Sequence, residues 1–283
     1  MVGPVEFFCG ARKSGWCEDT DVPLFITYSA LKERKNLPRA KGPWALDPNG
    51  FDILRQHGRY PFTAATFADD VQRYQTEIGN LVFASVMDWM CEDLIRKGGR
   101  GPRRSVYKGT KKTVAEHQRL TIDSYIELMS LAPWVPWLPV LQGSAVPEYW
   151  DHLEQYRRRG IDLTKVPRVG VGSICRKQNV VPVIFTLIDL LVDEGLFLHA
   201  FGFKTDGVET LVDFLRTRGQ LEALRRFSCD SMAWSIDFRF ADDPADRYLK
   251  NRLEGALAWR ERFLAPYLDL ITTPVVPALQ RAA

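Results

Sequence analysis

Short apolar runs alternate with amphipathic segments along much of this chain. The run 81–87 is continuously apolar, which is typical of a strand covered on both faces, as in a parallel sheet. Comparable strands are expected at 5–9, 23–28, 43–46, 136–141, 168–171, 196–200 and just after Phe227. Apolar residues at helical spacing predict helices at 66–78, 121–131, 149–159, 182–192, 208–227 (in two parts around Gly219) and 245–268.

Strands that alternate with helices predict parallel β/α architecture. About eight strand candidates in 283 residues fit a (β/α)8 TIM-type barrel, whose typical size is near 250 residues. We therefore predict an α/β fold with a single barrel domain over residues 1–283. The first half fits less well, because residues 9–23 leave little room for a crossover helix. A doubly wound open sheet is the alternative, although no Gly-x-Gly-x-x-Gly follows the first strand.

The composition is that of a soluble globular protein, with 46% hydrophobic and 26% charged residues. No apolar run approaches the roughly 20 residues of a membrane span, and no basic segment precedes an apolar core at the N-terminus. The five scattered cysteines indicate free thiols in a reducing compartment, so we expect a cytoplasmic location. No Cys-x-x-Cys occurs and the four histidines are far apart, so we expect neither a metal site nor a cofactor.

Candidate chemistry is concentrated where the predicted strands end. Barrel enzymes carry their active sites at the C-terminal ends of the strands. The residues at these ends are Asp47, Asp88, Gln142, Gly143, Gly172, Ser173, Gly202 and Asp230. Three carboxylates that meet at one mouth repel one another and spread their pKa values. Such a set can divide into a nucleophile, a general acid/base and a group that reads the substrate.

Each of these carboxylates also has a structural interpretation. Asp47 precedes Pro48 and an Asn-Gly pair, which is a strong turn signal. Asp88 is in a position to cap a helix after its strand. Asp230 follows small residues and could accept backbone N–H groups at a turn. On local sequence alone, these structural roles explain Asp47 and Asp230 at least as well as catalysis does.

One segment has a composition unlike the rest of the chain. Between residues 96 and 112 there are eight Lys/Arg residues and no acid, interleaved with glycines. The pattern predicts a basic loop insertion at about 96–117 that follows the strand of Asp88, beside the catalytic mouth. Its candidate nucleic-acid-binding residues are Arg96, Lys97, Arg100, Arg103, Arg104, Lys108, Lys111 and Lys112. A merely solvated loop is the alternative.

The order of these motifs resembles the queuine tRNA-ribosyltransferase superfamily. The resemblance covers about residues 43–238 and rests on five short motifs. They are Asp-x-x-Gly-Phe at 47–51, Met-Asp at 87–88, Val-Leu-Gln-Gly-Ser at 140–144, Val-Gly-Val-Gly-Ser at 169–173, and Asp230. The superfamily consists of barrel enzymes that exchange a guanine base for a 7-deazaguanine.

The resemblance implies a role for each matching residue. Asp230 matches the nucleophile that attacks the sugar C1′ and carries a covalent glycosyl intermediate, and Asp47 matches the acid/base. A carboxylate is a competent nucleophile toward an oxocarbenium-like centre, as in retaining glycosidases. The residues implied to bind the base are Asp88, Gln142, Gly143, Gly172, Ser173 and Phe51.

The chain departs from the tRNA enzymes in two respects. Their first motif continues Ser-Gly-Gly-Phe, whereas this chain has Pro-Asn-Gly-Phe at 48–51, and no cysteine follows Cys229 to form their zinc module. Segments 166–176 and 230–234 look more like the relatives that modify DNA in bacteria and phages. The implied partners are DNA and a free 7-deazaguanine base such as preQ0, in a bacterial or phage-infected host cytoplasm.

Two alternatives remain open at this level. One is a tRNA-guanine transglycosylase that has lost its zinc module, with tRNA as partner. The other is a nucleic-acid-binding barrel without chemistry, although carboxylates at the strand ends weaken binding to phosphate.

Overall fold

The structure, a computed structural model, describes residues 6–175, 181–237, 249 and 251–267. Its strands are β1 (Glu6–Gly10), β2 (Leu24–Thr27), β3 (Trp44–Asp47), β4 (Leu81–Ser85), β5 (Gly99–Arg100), β6 (Val106–Tyr107), β7 (Trp137–Leu138), β8 (Val140–Leu141), β9 (Val169–Val171), β10 (Leu198–Ala200) and β11 (Phe227–Ser231). Its α-helices are α1 (Gly50–His57), α2 (Ala64–Glu77), α3 (Asp93–Lys97), α4 (Val114–Leu131), α5 (Val146–Arg158), α6 (Val181–Val192), α7 (Thr205–Thr217), α8 (Ala233–Asp237) and α9 (Leu253–Leu264).

Within the described residues, nine parallel strands form one sheet in the order β7-β4-β3-β2-β1-β11-β10-β9-β8. The two ends of this order, β7 and β8, are consecutive in the chain and are separated only by Pro139. The carbonyl of Leu138 accepts a bond from Val86 N–H at 3.3 Å, and that of Pro139 accepts one from Gly170 N–H at 2.8 Å. The sheet is therefore nearly closed, and the α/β class with a parallel barrel-like sheet is confirmed.

Two hydrophobic cores lie on opposite sides of the sheet, because adjacent residues of a strand point to opposite faces. In β1, Phe7 points outward and packs against Trp259 and Phe263 of α9. Its neighbour Phe8 points inward and packs against Phe83 of β4, with ring centroids 5.3 Å apart. The inner core of phenylalanine and aliphatic side chains fills the barrel beneath its C-terminal mouth.

The expectation that residues 9–23 leave little room for a crossover helix agrees with the structure, whereas the predicted bounds of several elements differ from it. Between β1 and β2, and between β2 and β3, the described chain forms only 3₁₀ turns, Ser14–Glu18 and Tyr28–Ala30. The predicted strand at 136–141 is interrupted at Pro139, which has no N–H to continue a ladder. The helix predicted at 208–227 is divided around Gly219 as expected: α7 ends at Thr217, a 3₁₀ helix follows at Leu221–Arg226, and Phe227 begins β11.

Two further helix boundaries also differ from the prediction. Helix α4 begins at Val114 rather than near 121, because Thr113 and Glu116 form a reciprocal capping box there. Helix α9 begins at Leu253, whereas residues 245–248 and 268 of the predicted helix lie outside the described residues. In the described part of the chain, no helix has the length and apolarity needed to cross a membrane.

Candidate active site

The three predicted carboxylates converge on one pocket of about 200 Å³ at the C-terminal mouth of the barrel. Of the residues named from the sequence, the pocket is lined by Asp47, Phe51, Asp88, Gly172, Ser173, Gly202 and Asp230. They come from five different strand ends, which only the closed order of the sheet brings together. Gln142 and Gly143 are not among the lining residues and lie directly behind this wall.

Asp47 is the last residue of β3, and the turn after it is organised around its side chain. Oδ1 of Asp47 accepts a hydrogen bond from the Asn49 N–H at 2.8 Å. Asn49 adopts a left-handed backbone with φ of 62°, which asparagine tolerates better than most residues, and α1 begins directly after it. Burial raises the pKa of Asp47 to about 7; the Asn49 bond opposes this and the charge of Asp230 adds to it.

Asp88 lies three residues beyond β4 and is only 3% exposed. Burial raises its pKa to about 7, and the neighbouring charge of Asp47 raises it further. Its Oδ2 accepts a bond from Gln142 Nε2 at 2.5 Å, which partly offsets these effects. Asp47 and Asp88 are thus two coupled carboxyls that ionise near neutral pH.

Gln142 is fully buried and both ends of its amide are held. Nε2 donates to Asp88, and Oε1 accepts from the Ser173 hydroxyl at 2.7 Å. Gly172 makes this arrangement possible, because a Cβ there would be 2.2 Å from Gln142 Nε2. Gly143 has a packing role, since a Cβ on it would be 2.9 Å from the ring of Tyr149.

Ser173 lies between Gln142 and a carboxylate that the sequence did not single out. Its backbone is left-handed, with φ of 57°, which places the hydroxyl between three polar groups. Ser173 Oγ is 3.0 Å from Glu92 Oε2 and accepts a bond from Cys91 N–H at 3.0 Å. Glu92 therefore contributes a fourth carboxylate to the pocket.

Asp230 is the fourth residue of β11 and is 7% exposed. Its Oδ1 accepts a hydrogen bond from Gly202 N–H at 2.9 Å and lies 3.3 Å from Nε2 of His199. Both contacts reach it from β10 and the turn after it, since β10 pairs directly with β11. The Asp230 carboxylate thus lies at the bottom of the pocket, and both of these contacts are made by its Oδ1.

Five lining residues were missed by sequence reasoning: Phe25, Met90, Glu92, Cys175 and Phe201. The rings of Phe25 and Phe201 contact each other at the pocket wall, with centroids 6.0 Å apart and an angle of 33° between their planes. Phe201 directly follows β10, so the rule of strand ends would have found it. Phe25 lies inside β2, and only its inward direction, which depends on the register of the closed sheet, brings it to the site.

The basic segment has more structure than the predicted loop. It contains α3 and an antiparallel hairpin of β5 and β6, and Tyr107 of β6 packs against Phe51 of the pocket wall at 6.0 Å. Arg96 and Lys97 are both paired with Asp93, so they are not free cations on a loop. Lys112 is half-buried, and the side chain of Arg103 lies outside the described part. The exposed hairpin cations are Arg100, Arg104, Lys108 and Lys111.

A second cleft of about 550 Å³ opens on the same face of the barrel. It is formed at the ends of β1, β2 and β3 and shares the turn after Asp47 with the pocket, through Asn49 and Asp52. Arg12 and Lys13 supply its positive charge, and both are exposed. Sequence reasoning missed this cleft, because the two cations are isolated in the chain.

A nearly closed parallel barrel with several carboxylates and glycine-lined backbone at its C-terminal mouth has the architecture expected of the transglycosylase barrels that the motif order resembled. The family model described as DpdA, DeoxyPurine in DNA protein A, matches residues 5–281. The chain belongs to this family of DNA 7-deazaguanine transglycosylases, which is related to the tRNA-guanine transglycosylase superfamily. The predicted resemblance is thereby confirmed. No curated protein matches the chain.

Membership of this family implies modification of guanine in DNA by transglycosylation.

Proposed function

We propose that this protein replaces guanine in DNA with a 7-deazaguanine derivative, such as preQ0, through a covalent glycosyl intermediate on Asp230. The observation that carries the proposal is the convergence of Asp47, Asp88 and Asp230 on one pocket. We also propose that β7 and β8 are one strand interrupted at Pro139. Counted in this way, the sheet has the eight strand positions of a (β/α)8 barrel, in one domain over 1–283.

The size and polarity of the pocket support a single planar base as ligand. Its volume of about 200 Å³ is below the roughly 300–1,000 Å³ of sites for drug-sized ligands. The carboxylates of Asp88 and Glu92 are acceptors for the several N–H groups of a guanine or 7-deazaguanine. The contacting rings of Phe25 and Phe201 form one apolar surface, which suits a flat face of the base.

Asp230 is suited to the role of nucleophile. In the first step, one carboxylate oxygen of Asp230 bonds to C1′ while the bond from C1′ to the guanine nitrogen breaks. The electron pair of that bond leaves with guanine, which takes a proton. The contacts of Oδ1 with Gly202 and His199 leave Oδ2 as the oxygen for attack.

Asp47 is suited to supply that proton and to accept the next one. A carboxyl whose pKa is about 7 exists in both protonation states at neutral pH, which is the condition for acid/base catalysis. Protonated Asp47 donates to the departing guanine. The resulting carboxylate then takes the ring N–H proton of the incoming base, whose nitrogen attacks C1′ and releases Asp230.

The DNA path is proposed from charge on the face that holds the pocket. The exposed cations belong to the hairpin whose Tyr107 packs against Phe51, and Arg12 and Lys13 line the second cleft, which includes the turn after Asp47. Cations at these two places suit a backbone that crosses the mouth. The target nucleotide must leave the base stack, because the reaction needs access to C1′ and to both edges of the base.

An exchange assay with a radiolabelled base tests this proposal. Wild-type protein is incubated with labelled preQ0 and with duplex DNA, single-stranded DNA or tRNA, and label in the polymer is counted. We expect incorporation into DNA, and a covalent protein–DNA species that survives denaturation. Asp230→Asn is expected to abolish both, because an amide does not form the glycosyl ester.

The alternatives predict different outcomes of the same assay. Incorporation into tRNA alone would favour a tRNA enzyme. DNA binding without exchange by the wild type would favour a non-catalytic barrel. Full exchange activity in Asp230→Asn would contradict the assignment of the nucleophile.

A further inference from the structure

A histidine is enclosed inside the barrel directly beneath Asp230. His199 of β10 has no exposed surface. Its ring is surrounded by the rings of Phe83 at 4.9 Å, Phe201 at 5.0 Å, Phe25 at 5.4 Å and Phe8 at 5.6 Å. In such an apolar cage a polar ring nitrogen is costly to leave without a partner. The few polar contacts of this imidazole therefore carry information about its role.

The two ring nitrogens of His199 face two side chains of β11. Nδ1 is 3.0 Å from Oγ of Ser228, and Nε2 is 3.3 Å from Oδ1 of Asp230. Among the described residues, Nε2 makes no hydrogen bond of good geometry. The acceptor that it faces is Oδ1 of Asp230, at 3.3 Å. Ser228 and Asp230 point to the same side because they are two residues apart on one strand.

The chain of contacts continues away from the pocket to a cation. Arg168 donates from Nη1 to Ser228 Oγ at 3.1 Å and from Nη2 to Glu6 Oε2 at 2.5 Å. Since an arginine has only donors, the Ser228 oxygen must accept this bond. The one hydroxyl hydrogen of Ser228 is then shared between two acceptors within reach, the Leu198 carbonyl at 3.1 Å and Nδ1 of His199.

These contacts allow two neutral forms of the imidazole, and only one of them suits Asp230. If Nδ1 carries the proton, the lone pair of Nε2 faces the lone pairs of Asp230 Oδ1, which is repulsive. If the Ser228 hydroxyl donates to Nδ1, then Nε2 carries the proton and donates it to Asp230. An imidazolium is opposed by burial, which lowers the pKa of His199. In the second form, Arg168 donates to Ser228, Ser228 donates to His199, and His199 donates to Asp230.

We propose that His199 is a positioning residue that donates its Nε2–H to Oδ1 of Asp230, with its tautomer supported by Ser228 and Arg168. The proposal rests on the proposed function, in which Asp230 is the nucleophile. With Gly202 N–H as second donor, the contact fixes the orientation of the carboxylate and directs Oδ2 to C1′. In the glycosyl ester, Oδ1 becomes the carbonyl oxygen and keeps these donors. They then stabilise the carboxylate again when the incoming base displaces it.

Three variants test the role by exchange kinetics. His199→Phe keeps an aromatic ring in the aromatic cage but removes the donor, and we expect kcat to fall on the order of 10- to 100-fold, the loss typical of a hydrogen bond to a charged group. KM for the free base should stay unchanged, because His199 does not line the pocket. His199→Gln returns an N–H near Nε2 and should recover part of kcat. Ser228→Ala, which leaves Asp230 and His199 in place, should also lower kcat.

Nitrogen NMR of protein labelled with ¹⁵N-histidine tests the tautomer without any assay of activity. We expect the His199 signals in wild-type protein to be those of a neutral ring protonated on Nε2. In Ser228→Ala, Nε2 should stay protonated beside Asp230, and the Nδ1 signal should shift because its lone pair loses the hydrogen bond from the Ser228 hydroxyl. A wild-type ring protonated on Nδ1, or doubly protonated at neutral pH, would overturn the proposal.

The outcomes separate this proposal from the proposed function. If wild-type protein exchanges no base, or if Asp230→Asn is fully active, the proposed function fails. If Asp230→Asn is inactive while folded His199→Phe and Ser228→Ala keep wild-type kcat, only the role of His199 is refuted. Should His199→Phe unfold, as judged by thermal denaturation, Ser228→Ala and the NMR tautomer decide the question.

Discussion

The buried carboxyl of Asp88 is expected to make the stability of the protein depend on pH. Its pKa is raised from 3.8 to about 7, so between these values the folded protein binds a proton that the unfolded chain releases. The free energy of unfolding therefore falls as pH rises through this window. Stability associated with Asp88 is highest near pH 4 and is lost by about pH 8.

The size of the effect follows from the same values. A shift of the Asp88 pKa from 3.8 to about 7 corresponds to ~4 kcal/mol of unfolding free energy. This is an upper limit, because Asp47 and Asp88 titrate as a pair. Asp88→Asn removes the buried charge at high pH but keeps an acceptor for Gln142. The variant should match wild type near pH 5 and exceed it at pH 8. Between pH 5 and the folded pKa of about 7 this free-energy difference is ~2.7 kcal/mol, so at roughly 2 °C of Tm per kcal/mol for a chain of this size the gain is up to about 5 °C.

Thermal unfolding at pH 5 and at pH 8 measures this difference. Asp69→Asn is the matched control, because Asp69 is an exposed carboxylate on α2. For the control, the Tm difference from wild type should be the same at both pH values. An Asp88→Asn variant whose Tm difference does not change between pH 5 and pH 8 would refute the reasoning.

Three further predictions concern the pocket and the hairpin. Gly172→Ala should lower the free energy of unfolding in denaturant by about 1–3 kcal/mol and weaken binding of the free base, because its Cβ would clash with Gln142 Nε2. Gly15→Ala is the control, since no atom lies within 4 Å of the new Cβ. Asp47→Asn should abolish multiple turnover yet still form the covalent species slowly, and normal turnover would contradict its acid/base role. Alanine at the four exposed hairpin cations should weaken DNA binding for all sequences and flatten the slope of log affinity against log salt concentration by up to about 0.9 per lost contact. The control, Lys165→Ala on the opposite face of the barrel, should change neither. An unchanged salt slope in the hairpin variant would refute the hairpin as a DNA contact.

The strand ends were the predictable part of this molecule. Continuous apolarity located β4. The rule that parallel β/α strands end on one face then placed Asp88 near Asp47 and Asp230 before any contact between them was known. This inference works because it depends on topology alone, which the alternation of strands and helices already indicates. The resemblance in motif order supplied the chemistry, which topology cannot do.

The supporting residues were not predictable, because they depend on register and on contacts distant in sequence. Gln142 was expected to face the ligand, but Gly172 and Ser173 hold it behind the pocket wall. No functional role for His199 was predicted from the sequence, and only the pairing of β10 with β11 brings its ring to Asp230. The basic segment was predicted as a loop because its charge and glycine content hide the short apolar contacts of Ile95 and Tyr107.

The filled interior of the barrel has a kinetic consequence. Phe8, Phe25 and Phe83 close the space beneath the pocket, so a base enters and leaves through the same mouth. With a volume of about 200 Å³, the pocket holds one base at a time. For an exchanging enzyme, guanine must then depart before its replacement arrives, which is a ping-pong order. In the proposed mechanism, free guanine and the free deazaguanine compete for the same glycosylated enzyme, so the fraction of sites that end up modified would follow the ratio of the two bases in solution.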